Sequence, residues 1–115
     1  MRSLLGVLIA LSAVLSPTAA PAADAASGQY WFKICENSAT REGCIGYLSG
    51  LIHMELYASQ RMPDGPLWCA PDDASVNDMM RTFVRFLEDR PELLHGSAVQ
   101  LAHLAWARAY PCKRD

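Results

Sequence analysis

The second half of the chain carries apolar residues at helical spacing. After Ser75 they fall at Val76, Met79, Met80, Phe83, Val84 and Leu87, a single stripe, while Asn77, Asp78, Arg81, Arg85, Glu88 and Asp89 take the opposite side. Ser75 with Asp78 three residues on forms a capping box, and Pro91 disfavours helical geometry in Arg90, so this helix is bounded at both ends. Phe86 lies off the centre of the stripe and reads either as a flank of the core or as part of an interface. Ser97 with Gln100 opens another helix, which runs from Ala98 to about Ala109 and ends before Pro111. There Val99, Leu101, Ala102, Leu104, Ala105, Trp106 and Ala109 cover most of the circumference, which predicts burial on several sides.

Upstream, the pattern predicts a helix from about Glu42 to Ala58, with Cys44, Leu48, Leu51, Ile52 and Leu56 on its buried side. Gly46 and Gly50 are four residues apart and share one face. Each costs about 1 kcal/mol relative to alanine in a helix interior. The expected compensation is a close crossing with another helix. The aromatic stretch from Ser27 to Glu36 predicts a further short helix despite Gly28 and Ile34, and the polar run Asn37–Gly43 ends it. Ser59 to Pro71, SQRMPDGPLWCAP, has no period, because Pro63, Gly65 and Pro66 exclude regular structure. The fold class is therefore all-α: a small domain of three or four helices, with no internal repeat.

Four cysteines permit three pairings. Cys35 and Cys44 flank the turn between the first two helices, and a bond there closes ten residues, worth about 2.7 kcal/mol in the chain-entropy model. If the last two helices form a short-looped antiparallel pair, Cys69 and Cys112 lie at one end of it. That bond closes 44 residues, worth about 4 kcal/mol. Keeping both bonds local to a hairpin selects Cys35–Cys44 and Cys69–Cys112 over the crossed pairings.

The N-terminus bears on compartment. Arg2, the apolar run Leu4–Leu15 and the motif Ala20-Pro21-Ala22 read as a cleaved secretory signal peptide of residues 1–22, too short for a membrane span. The remaining domain, 23–115, is then expected in the periplasm, where disulfides form. Arg2 leaves with the leader, so nine basic residues face twelve acidic ones. That balance argues against nucleic acid or an anionic membrane as partner, since both favour a basic face.

Chemistry is sparse. His53, His95 and His103 share no ligand spacing, and no metal or cofactor motif occurs. His53 and His103, both mid-helix, read as partly buried hydrogen-bonded histidines. No nucleophile elbow is present, and Asp72, Asp73, Glu88 and Asp89 sit at helix ends, where acids serve the dipole or face water. No catalytic residue is assigned. The aperiodic loop is the better candidate for a function: Arg61, Met62, Asp64 and Trp68 form a protruding partner-binding set. Trp68 also reads as packed on the adjoining disulfide.

Taken in order, Cys35, Cys44-Ile45-Gly46-Tyr47-Leu48-Ser49-Gly50, Trp68-Cys69-Ala70-Pro71, Leu87-Glu88-Asp89-Arg90-Pro91-Glu92 and Tyr110-Pro111-Cys112 resemble the Rap1a/Tai family of immunity proteins. The resemblance covers nearly all of the chain beyond the leader. It implies a small, exported, disulfide-bonded helical protein of a Gram-negative bacterium. It further implies a homodimer that protects against a peptidoglycan-cleaving amidase, a cell-wall hydrolase delivered by type VI secretion. The matching residues are scaffold, so the contact candidates above come from loop chemistry alone. Two other readings compete: an exported helical module of different function, and a small acid-stress chaperone, which the near-balance of charge and the two staples disfavour.

Overall fold

The computed structural model describes residues 22–113. The apolar run Leu4–Leu15 and, save for Ala22, the cleavage motif lie outside them. A single turn α1 (Ala22–Ala25) precedes four main helices: α2 (Gly28–Glu36), α3 (Arg41–Ser59), α4 (Val76–Asp89) and α5 (Ala98–Ala109). A 3-10 turn, Pro91–Leu93, joins the last two. Among the described residues there is no strand, only an isolated antiparallel bridge between Ser27 and Ser97. No helix among them is long and apolar enough to cross a membrane.

The ends follow from the local chemistry. Ser75 Oγ accepts from the Asp78 amide while the Asp78 carboxylate accepts from the Ser75 amide, the reciprocal box expected of this pair. Ser27 and Ser97 accept from the amides of Tyr30 and Gln100. α4 stops at Arg90, the residue before Pro91.

α4 is the central element. Met79, Met80, Phe83, Phe86 and Leu87 are all buried on it, and it packs against α2, α3 and α5. Phe86 thus belongs to the core. The indole of Trp106, fully buried on α5, donates to the carbonyl of Met79 at 2.9 Å, which joins the start of α4 to the end of α5. The pair is antiparallel, as the cysteine positions required. Both disulfides are Cys35–Cys44 and Cys69–Cys112.

Several expectations are corrected. Among the described residues Gly46 and Gly50 make no helix crossing: both are exposed, and a Cβ on either would meet nothing there within 4 Å. The close approach is at Gly28, where a Cβ would lie 2.5 Å from Leu101 Cδ1 and 3.2 Å from the Leu94 carbonyl. There the amides of Gly28 and Gln29 donate to the carbonyls of Gly96 and Leu94, which docks the start of α2 onto the turn before α5. α5 is buried along Ala98, Leu101, Ala102, Ala105 and Trp106; Val99 and Leu104 face outward. On α3, Leu56 is exposed, against the periodicity reading, and Glu55, which that reading did not place, is buried. His53 is exposed as well.

Candidate functional site

The segment from Gln60 to Ala74 has no regular structure but is fixed at successive points. The helix end is closed by Arg61, whose guanidinium donates to the Tyr57 carbonyl at 3.2 Å and lies 3.9 Å over the Tyr57 ring. The turn that follows puts Gly65 at φ 75, where glycine is the residue without a steric cost, and its amide donates to the Met62 carbonyl. Next, the amide of Leu67 donates to Glu55 Oε1 at 2.8 Å. The Trp68 indole N–H donates to His103 Nδ1 at 3.1 Å, and its ring meets that of Trp106 edge to face. The Cys69 amide donates to the Tyr110 carbonyl at 2.8 Å, next to the Cys69–Cys112 bond.

This accounts for the buried carboxylate. Glu55 lies on the same stripe as Cys44, Leu48 and Ile52, and accepts from a loop amide instead of from water. His103, half-buried, behaves as the hydrogen-bonded histidine expected of it. Burial holds its imidazole below the ordinary value, while the charge of Glu55 acts in the opposite direction.

Of the four partner-contact candidates, Arg61, Met62 and Asp64 are exposed at the tip of the segment. Trp68 is corrected: it is 5% exposed, so it holds the segment from inside and offers no face to a partner. Four side chains that the loop reading did not assign as contacts stand out instead. Met54, Leu56, Tyr57 and Leu67 join Met62 around the C-terminal end of α3, all five between 42% and 62% exposed. Beside them a groove of about 430 Å³ runs between α3 and the loop, lined by Ile52, Leu56, Pro66, Ala70, Val76 and Met79. The signal for this surface was present in the sequence as Glu55: a charged residue on the apolar stripe marks where the core gives way to loop.

A second groove, about 490 Å³, lies between α4 and the α2–α3 turn. Arg41, Arg81 and Arg85 line it together with Glu36 and Glu88, so its charge is mixed. Arg81 is moreover paired with Asp78. Among the described residues no three His, Cys, Asp or Glu side chains group to hold a metal ion. What the geometry offers is a rigid apolar surface with a charged tip, suited to contact with another protein.

Comparison with curated proteins and with solved structures found no match. The sequence profile of the Rap1a immunity proteins matches residues 27–112, from the cap of α2 to the last cysteine, and so takes in all four main helices and both disulfides. The chain belongs to the Rap1a immunity protein family.

Proposed function

We propose that the protein is an immunity protein, exported through a cleaved leader of residues 1–22, that binds and inhibits a peptidoglycan-cleaving amidase effector of type VI secretion in the periplasm. The observation that carries this reading is the family match over the whole disulfide-closed domain. The protein acts as a stoichiometric plug without turnover, and two copies of the chain associate in the active form.

The surface around the end of α3 supports binding. At roughly 200 Å² for a fully exposed large side chain, Met54, Leu56, Tyr57, Met62 and Leu67 present on the order of 500 Å², near the apolar share of the ~800 Å² that one side of a standard interface covers. Arg61 and Asp64 supply polar contacts at its rim. The segment is already held by Glu55, His103 and the Cys69–Cys112 bond, so little ordering entropy is lost on association.

The test is protection of cells that export the cognate amidase effector. The full chain should protect; a chain lacking residues 2–22 should not, because the damage occurs outside the cytoplasm. A Leu56→Asp, Leu67→Asp variant should keep its melting temperature and lose both protection and the complex on gel filtration. Light scattering reports the copy number. Equal protection with and without the leader, or no protection together with no complex, would overturn the proposal.

A further inference from the structure

The anchoring of the 60–68 segment has a feature that a purely structural staple would not need. One of its two side-chain anchors is a histidine that acts as acceptor. Trp68 Nε1–H lies 3.1 Å from His103 Nδ1, so that nitrogen must be unprotonated and the imidazole proton sits on Nε2. The other anchor is the carboxylate of Glu55, on a neighbouring helix, which accepts from Leu67, the residue next to Trp68. Glu55 is 6% exposed and the anchored Trp68 5%, while His103 is half-buried. Together they tie two consecutive residues of an otherwise irregular segment to α3 and to α5.

We propose that Glu55 and His103 form a two-point latch that positions the 60–68 segment, and that proton uptake by His103 releases its second point. Adding a proton to Nδ1 turns the acceptor into a donor that faces the indole N–H, and the pair must separate. Trp68 then loses the acceptor of its indole N–H together with its edge-to-face contact on Trp106. His103 packs edge-on against Trp106 too, so a turn of the ring disturbs the same cluster. Around His103, α3 contributes Glu55, whose negative charge favours the imidazolium; the segment contributes the uncharged indole of Trp68; α5 itself contributes Trp106. Of the charges of α4, Asp78, Arg81 and Arg85 line a separate groove with Tyr110, and Glu88 lines the mixed groove with Glu36 of α2.

The direction of the pH effect follows. Burial keeps His103 below its ordinary value of 6.5, so the latched fold prefers the neutral ring. The latch is complete above that value and weakens as pH falls below it, because the open form takes up the proton first. The consequence for partner binding rests on the surface proposed above; the latch itself does not.

The experiment therefore uses the free, oxidised chain. Hydrogen exchange of the Trp68 indole N–H and the Leu67 amide, followed by NMR and corrected for the intrinsic rate, reports the open population. Between pH 7.5 and 5.5 that population should rise by up to about tenfold in the wild type, the limit set by one pH unit below the open-state value. His103→Gln retains an acceptor but does not titrate there, so its exchange should stay at the wild-type neutral level at both pH values. His103→Phe has no acceptor and should be open at both. A rise in His103→Gln equal to that of the wild type, or no rise in the wild type, would overturn the latch. The comparison of wild type with His103→Gln decides the matter even if His103→Phe does not fold. A failed protection assay alongside the expected exchange pattern would count against the binding surface and leave the latch standing.

Discussion

Replacing Gly28 by alanine should destabilise the protein, while the same change at Gly50 should stabilise it. At Gly28 the added methyl would lie 2.5 Å from Leu101 Cδ1 and 3.2 Å from the Leu94 carbonyl. Leu101 is buried against the core, and the Leu94 carbonyl is held by the amide of Gln29. Relief therefore requires either a displaced core side chain or a backbone shift that weakens two hydrogen bonds. Overpacking of this kind costs about 1–3 kcal/mol. At Gly50 the methyl enters open space on an exposed helix face, and the change recovers up to about 1 kcal/mol of helix propensity. For a domain of this size about 1 kcal/mol moves the melting temperature by about 4–8 °C. The two variants should thus separate by about 4 to 30 °C in a calorimetric scan with both disulfides intact, one on each side of the wild type. A Gly28→Ala protein that melts at or above the wild type would mean that α2 does not dock closely on α5. A Gly50→Ala protein that melts well below it would mean that the outer face of α3 is covered in solution, as by a second copy.

Two further outcomes test the caps and staples. Ser75→Ala removes the cap of α4 and should cost about 1 kcal/mol. The hydrogen bonds from Ser75 hold the Asp78 carboxyl below its ordinary value, so in the wild type this support is present above the carboxylate range and lost as pH falls through the lowered value; carboxyl NMR should show Asp78 titrating at higher pH in Ser75→Ala. Replacing Cys69 and Cys112 together by serine should lower stability to denaturant by about 4 kcal/mol, more than the ~2.7 kcal/mol for the Cys35–Cys44 pair, because the longer loop regains more freedom on unfolding. A larger loss from the shorter loop would show that burial of Cys35 and Cys44, not chain entropy, dominates.

What the sequence determined by itself is the set of elements and their ends. Val76–Asp89 and Ala98–Ala109 are legible because a 3.6-residue period, a serine cap and a proline all act within a few residues of the place they control. The disulfide pairing is legible for a related reason: once the hairpins are placed, only local partners come together at their ends. Which side of a helix is covered is a different matter, since the covering residues are far away in the chain. Gly28 and Gly50 look alike in sequence; only the turn at Leu94–Gly96 makes one of them indispensable. Leu56 continues the apolar stripe of α3 but overruns the core, and Glu55 enters it because a loop amide twelve residues on needs an acceptor. Trp68 reads both as a loop contact and as a residue packed on the disulfide until α5 supplies Trp106 and His103 to bury and bond it. The tertiary structure decided those cases because burial and hydrogen-bond satisfaction are properties of pairs brought together by folding, whereas period and capping belong to a single stretch of chain.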